Sequence, residues 1–151
     1  MTFKELKNFR AAAFAALLLI AAATHAQTAS VEIQGVSAAD AGKKNQTFAP
    51  SIAHLKGVLK ETVFGTFTDA GKQDITVTAG AKASSRVKQY ELDVTLKDAK
   101  PGKCRLELTI KDGGKPIGDP ICVPVTKGQP KMVAQVGNRE QPLILIFTLK
   151  D

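Results

Sequence analysis

The sequence predicts a mainly β protein: an antiparallel β-sandwich of about seven to eight strands with one short N-terminal helix, after a cleaved signal peptide. Three observations lead to this prediction. A long apolar run lies close to the N-terminus. From residue 62 onward, apolar residues recur at every second position, which is the period of a half-buried strand. Turn sequences rich in glycine and proline separate these segments at regular intervals.

Residues 1–26 have the three parts of a secretory signal peptide. Basic residues precede an unbroken apolar run at 11–23, and Thr24-His25-Ala26 then places small residues at the −3 and −1 positions. We predict cleavage after Ala26, with cleavage after Ala29 as the alternative. At 1.5 Å per residue the run falls short of the roughly 30 Å hydrocarbon core. The mature protein is therefore expected in the periplasm or outside the cell, with no transmembrane segment.

The mature chain is predicted to begin with a strand and a loop over residues 27–47, followed by a β-sandwich domain over residues 48–151. Val31, Ile33 and Val36 alternate enough to predict a short first strand. The small and polar residues that follow, at 37–46, predict a loop.

Residues 50–60 carry the one helical pattern of the mature chain. Pro50 suits the first position of a helix. Ile52, Leu55 and Leu59 recur at spacings of three and four, and so share one face. A helix this short needs tertiary packing to persist, so we expect it to close one end or edge of the sheet structure.

Phe64 and Phe67 mark the next predicted strand, at 63–68, in which Gly65 suggests a bulge or a close contact. The sequence at 69–72 is typical of a turn, and a further strand is predicted around 75–77.

The clearest alternation covers residues 86–97, and it resumes at 103–111 after a turn at 100–102. This pattern is typical of an antiparallel sheet with one buried face. The residues predicted to face the core are Tyr90, Leu92, Val94, Leu96, Cys104, Leu106, Leu108 and Ile110.

Three prolines at 116, 120 and 124 interrupt the segment 115–125 and predict an edge strand, because proline cannot donate to a sheet ladder. A short strand is predicted at 132–136. The last strand, 143–149, is apolar without alternation, which predicts burial on both faces.

Cys104 and Cys122 are predicted to form a disulfide, since the chain is expected to be exported. If residues 112–114 form a three-residue hairpin loop, the two cysteines lie opposite each other on neighbouring strands. The apolar residues around Cys122 have the opposite parity, so this register would require a bulge at 118–120. We interpret the pair as a stabilising crosslink, because no C-x-x-C motif is present.

Three features suggest candidate catalytic groups. Ser85 and Lys88 match the S-x-x-K pattern of serine acyl-transfer enzymes, but the partner motifs S-D-N and K-T-G are absent. Glu91 and Asp93 resemble a glycosidase carboxylate pair, although their alternation predicts a solvated sheet face. His54 has no evident partner. We therefore predict that the protein is not an enzyme.

The composition excludes several classes of site. Two cysteines and two histidines cannot build a four-cysteine zinc site, so neither a metal nor a cofactor is expected. The net charge of +7 comes with only 5% aromatic residues. Nucleic acid is therefore not expected as a partner, because single-stranded nucleic acid is bound by basic grooves with interleaved aromatic residues.

Many lysines fall in predicted turns, which could cluster at one end of a sandwich and bind anionic lipid head groups or acidic polysaccharide. Solvated surface charge is the simpler interpretation. The candidate anionic-ligand patch consists of Lys97, Lys100, Lys103, Lys127 and Lys131.

The layout resembles that of small exported bacterial β-rich proteins of uncharacterised function. The shared features are an initial strand, a short helix like residues 50–55, a Gly-Gly hairpin at 113–114 and an apolar C-terminal strand like residues 143–146. The resemblance covers most of the mature chain and implies no activity, so it assigns no functional residues.

These observations predict an exported, non-enzymatic β-sandwich that binds another cell-envelope or secreted component, and we expect that partner to be a protein. A sandwich with an edge strand marked by prolines suits docking or strand addition, with residues 27–36 as a candidate donor segment. The alternative is a module that binds glycan or anionic lipid through the lysine-bearing turns. A small hydrolase is the least favoured interpretation.

Overall fold

The computed structural model describes residues 27–150, so the predicted signal peptide and its cleavage site lie outside the described residues. The described chain is mainly β, with one short helical segment. That segment is a 3-10 turn at Pro50–Leu55 continued by helix α1 at Lys56–Leu59. The strands are β1 Thr28–Ala39, β2 Thr47–Phe48, β3 Thr66–Thr78, β4 Lys82–Val87, β5 Tyr90–Lys100, β6 Lys103–Asp112, β7 Lys115–Pro116, β8 Ile121–Thr126, β9 Lys131–Val136 and β10 Leu143–Leu149.

The strands form two sheets. The first sheet has the order β2-β3-β1-β10-β9, and all its pairs are antiparallel except β2 with β3. The second sheet has the order β4-β5-β6, and both β7 and β8 pair with β6. β7 and β8 pair with β6 alone and so lie at an edge, as the prolines at 116, 120 and 124 predicted.

Two buried clusters hold the described chain together. The larger cluster draws apolar side chains from both sheets. The smaller cluster joins the helical segment to the opposite face of the first sheet. β10 contributes to both, since Leu145 and Phe147 belong to the larger cluster and Ile144 and Ile146 to the smaller one. This double burial explains the unbroken apolar sequence of β10 and confirms the prediction for it.

The helical segment forms where the spacing predicted it, and Ile52, Leu55 and Leu59 are its buried residues. Its position differs from the expectation, however. These side chains pack on Val36, Phe67 and other residues of the first sheet's face. The segment therefore covers a face rather than closing an end or an edge.

Four strand predictions needed correction. The strand predicted at 63–68 begins only at Thr66, because the residues before it form a loop. β1 is longer than expected and lies in the middle of the first sheet, between β3 and β10. The predicted turn at 69–72 is a bulge inside the continuous strand β3, opposite Gly35 and Val36. A two-residue turn at 88–89 divides the predicted strand 86–97 into the end of β4 and the start of β5.

The predicted Cys104–Cys122 disulfide is wrong, since both cysteines are free. Asp112 pairs with Lys115, so the hairpin loop has two residues rather than three. The loop before β8 shifts the register further, and Cys104 pairs with Val125. The side chain of Cys122 consequently lies on the outer face of the sheet and is exposed, whereas Cys104 is buried in the larger cluster.

Candidate functional site

Two loops lie side by side at the end of the first sheet, beside the helical segment. The N–H of Gly42 donates to the carbonyl oxygen of Val63 at 2.9 Å. The N–H of Gly65 donates to the carbonyl oxygen of Ala39, also at 2.9 Å. The side-chain amide of Gln46 adds a bond of 2.8 Å to the carbonyl oxygen of Phe64. Loops 40–46 and 60–65 are thus held together by backbone hydrogen bonds and by the side chain of Gln46.

Gly65 makes this contact possible. A Cβ atom at this position would overlap the Cβ atom of Lys43 and would lie 2.8 Å from the carbonyl oxygen of Asp40. The two loops can therefore approach this closely only when residue 65 has no side chain. The prediction of a close contact at Gly65 is confirmed.

The two loops and the helical segment enclose an open pocket of about 440 Å³, which we call the lysine pocket. Four lysines line it, two from loop 40–46 and two from the helical segment and the residue after it, and no carboxylate does. The lining residues are Lys43, Lys44, Asn45, Gln46, Phe48, Lys56, Lys60, Thr62, Val63 and Phe64.

The aromatic part of the pocket is fixed by packing. The ring of Phe48 stacks on that of Phe67, with centroids 5.0 Å apart and planes 7° from parallel. The ammonium group of Lys56 lies 5.9 Å from the centroid of Phe48, within the range of a cation–π contact. Val63 also lines the pocket and is 70% exposed.

The lysine pocket has a positive balance of charge. All four of its lysines are exposed. Two acidic residues, Glu61 and Asp40, are close in sequence to the lysines of the pocket. Glu61 is exposed, and the carboxylate of Asp40 accepts a hydrogen bond of 2.6 Å from the hydroxyl of Thr66. A concave surface with one sign of charge concentrates counter-ions and ligands of the opposite sign.

The predicted patch of five lysines is only partly assembled. Lys100 and Lys103 face each other across the β5–β6 turn, and the N–H of Lys127 donates to the carbonyl oxygen of Gly102 in that turn. Lys97 forms an ion pair of 3.4 Å with Glu107. The fifth lysine, at position 131, lies in β9 at the edge of the first sheet.

A second pocket, of about 480 Å³, includes Lys127 together with His54 and Lys72. It differs from the lysine pocket because it contains a carboxylate. Glu32 is buried, and the ammonium group of Lys150 lies 2.7 Å from its Oε2 atom. This ion pair offsets part of the positive charge, so the second pocket is the weaker candidate for an anionic ligand.

Ser85 and Lys88 have separate structural partners. The hydroxyl of Ser85 donates to Oε1 of Gln73, which also accepts the N–H of Arg86 at 3.2 Å. The ammonium group of Lys88 donates to the hydroxyl of Ser37 at 2.8 Å. These bonds tie β4 to β3 and the following turn to β1, and they account for both side chains of the S-x-x-K match.

Asp93 is the centre of an ion-pair network on the second sheet and is 6% exposed. Its carboxylate lies 2.7 Å from the ammonium group of Lys111 and 3.5 Å from that of Lys82, and it accepts a bond of 2.8 Å from the hydroxyl of Ser84. The bond from Lys111 is the largest influence holding the pKa of Asp93 below its usual value. A carboxylate held ionised in this way is unsuited to general acid catalysis.

Within residues 27–150, no group of three or more His, Cys, Asp or Glu side chains is arranged to hold a metal ion. No helix in that range is long and apolar enough to cross a membrane. Comparison with known protein families, with curated proteins and with solved structures gave no match for this chain.

Sequence reasoning missed the lysine pocket. Lys56 and Lys60 are four residues apart and lie on the solvent side of the helical segment, a spacing that was available from the sequence. Lys43 and Lys44 lie in a separate loop that precedes β2 and the helical segment. The one sequence signal for this site was Gly65, a glycine within a predicted strand, which indicated the close contact between loops 40–46 and 60–65.

Proposed function

We propose that this chain is an exported, non-enzymatic β-sandwich module that binds an anionic component of the cell envelope or of secreted material through the lysine pocket. The observation that carries this proposal is the grouping of four exposed lysines around one pocket without a lining carboxylate. The two buried clusters support the sandwich architecture, because the larger one is built from both sheets.

The chemistry of the pocket favours phosphate or carboxylate groups as ligands. A lysine ammonium is a compact point charge that binds anions without demanding one geometry. The pocket is open, so its interactions are screened by salt. The fixed loops reduce the ordering that binding requires, which favours affinity.

The non-enzymatic part of the proposal rests on the engagement of the candidate catalytic groups. Ser85 is hydrogen-bonded to Gln73, and Asp93 is bound by Lys111 and Lys82. Neither side chain lines the lysine pocket. Both are accounted for by contacts between strands.

Retention on an immobilised soluble polyanion, such as heparin or long-chain polyphosphate, tests the proposal. The double variant Lys43→Gln/Lys44→Gln is expected to elute at clearly lower salt than the wild type. Its matched control is Lys100→Gln/Lys103→Gln, which removes the same charge from the β5–β6 turn. Equal elution of both variants would show that net charge alone causes retention, and would contradict a site at the pocket.

Protein binding by strand addition is the second candidate, and the edge strand β9 favours it. β9 pairs with β10 only, and Met132, Val133 and Ala134 in it are half-buried. A donor role for residues 27–36 is less suited to this arrangement, because β1 is paired on both sides. In-cell crosslinking followed by mass spectrometry tests this candidate. A defined protein adduct at β9 would support it, and crosslinks confined to the lysine pocket would oppose it.

A further inference from the structure

We propose that the ligand of the lysine pocket is an anionic lipid surface, on which the lysines contact the head groups and Val63 enters the interface between them. This inference rests on the proposed function, since it names the ligand class of the same site. The lipid inference adds an apolar contact, made by Val63, to the electrostatic attraction of the lysines.

Val63 is the observation that carries the inference. It is 70% exposed, and the only other large hydrophobic side chain exposed to a comparable degree in residues 27–150 is Ile117, at 43%. Val63 lies in the lining of the lysine pocket, whereas Ile117 lies in the turn region between β7 and β8. The most exposed large apolar side chain of the described chain is therefore placed among four lysines.

The loop that carries Val63 is held in a fixed position. The carbonyl oxygen of Val63 accepts the N–H of Gly42, and the next residue, Phe64, is buried in the smaller cluster. The N–H of Thr62 donates to the carbonyl oxygen of Leu59 at 3.0 Å, and its hydroxyl donates to the same atom at 2.8 Å. The backbone on both sides of Val63 is therefore held in place, and its side chain is exposed in this conformation without any rearrangement.

A lipid interface suits both parts of the site, whereas a soluble polyanion suits only one. Lysines near an anionic membrane surface contribute attraction that decays within a Debye length. An apolar side chain gains by transfer from water into the region between head groups and acyl chains. A soluble glycan or polyphosphate would satisfy the lysines and leave Val63 in water.

Co-sedimentation with vesicles tests the inference on the chain as purified after export, with its N-terminus defined by mass spectrometry. The vesicles contain phosphatidylglycerol and phosphatidylcholine, or phosphatidylcholine alone. We expect binding to the anionic vesicles only. Every variant shares the same N-terminus, so a contribution from that region cancels in the comparison.

Two substitutions isolate the apolar contact. Val63→Ser is expected to weaken binding to the anionic vesicles by about three- to tenfold, on the scale expected for burial of part of a valine side chain. Ile117→Ser removes the other exposed side chain and is expected to bind as the wild type does. Both positions are exposed, and unchanged thermal unfolding would show that both variants fold.

Two double variants isolate the charge. Lys56→Gln/Lys60→Gln is expected to lower vesicle binding at least tenfold, and Lys100→Gln/Lys103→Gln far less. Wild-type vesicle binding by Val63→Ser would overturn the lipid inference. A further outcome is that the wild type fails to bind anionic vesicles while the pocket variants still lose retention on polyphosphate. In that case the lipid inference fails and the proposed function stands. If the variants of the pocket lysines keep both vesicle binding and retention on polyphosphate, the lipid inference and the proposed function are both overturned.

Discussion

Asp93 shows how a polar residue on a sheet face becomes part of the structure. Its alternation with Leu92 and Val94 predicted a solvated position, yet its side chain is buried beneath Lys111 and Lys82. Within residues 27–150, no buried side-chain nitrogen or oxygen lacks a hydrogen-bond partner. The sequence could indicate which face Asp93 occupies, but not that long neighbouring side chains would cover it.

The Asp93 network predicts a pH-dependent contribution to stability. Its pKa in the folded state lies below the value of about 3.9 in an unfolded chain. The ionised carboxylate therefore stabilises the fold above that pH, and the contribution is lost as the pH falls through the folded-state pKa. Asp93→Asn is expected to cost about 1–3 kcal/mol at pH 7.

Urea unfolding of the wild type and Asp93→Asn between pH 7 and pH 2 measures this contribution. The difference in unfolding free energy should be constant near neutral pH and should shrink at acid pH. A difference that is the same at pH 7 and pH 2 would contradict the assignment of the network to an ionised carboxylate.

The two free cysteines should differ in reactivity. Burial raises the pKa of the Cys104 thiol, which lowers its thiolate fraction, and it also blocks access to reagents. Cys122 is exposed on the edge strand β8. Titration with a thiol reagent should modify one cysteine in the native protein and two in urea, with Cys122 identified by peptide mapping. Finding no reactive thiol even in urea, and two after reduction, would instead show a disulfide.

At the scale of single elements, the sequence predicted best where periodicity reflects burial. The inward residues of β5 and β6, such as Leu92 and Leu106, are buried as expected. The turn at 88–89 was missed because Lys88 has φ of 52°, a conformation that a glycine would have indicated and a lysine does not. The register of β8 on β6, which decides the partner of Cys104, was missed because the loop before β8 sets it. That loop has no hydrophobic periodicity from which its conformation could be predicted.

The helical segment offers a matched pair of substitutions. Leu59 is fully buried against the first sheet, so Leu59→Ala should lower the unfolding free energy by about 2–4 kcal/mol. Gly57 lies in α1, and a methyl group at this position would meet no atom from outside the helix within 4 Å. Gly57→Ala should therefore raise the unfolding free energy by up to about 1 kcal/mol. Thermal and urea unfolding measure both effects, and destabilisation by Gly57→Ala would contradict the exposed helical placement of residue 57.

At the scale of the whole molecule, the candidate site depends on how separate loops are brought together. The predicted lysine patch combined the turns at 100–102 and 127–130, and these turns do meet through the N–H of Lys127 and the carbonyl oxygen of Gly102. The lysine pocket instead needs loop 40–46 to lie against loop 60–65 and the helical segment. Sequence patterns report local periodicity, so they could indicate the contact at Gly65 but not the four lysines that it brings together.

The molecule carries two basic surfaces, the lysine pocket and the turns at 97–103 and 127–131, and one measurement decides which of them binds anions. Amide resonances of the isotope-labelled protein are followed by NMR during titration with tripolyphosphate at low salt. We expect the largest shifts in residues 43–46 and 56–64, and we expect Lys43→Gln/Lys44→Gln to reduce them. Largest shifts around residues 97–103 and 127–131, or no saturable shifts at all, would contradict the assignment of the anion site to the lysine pocket.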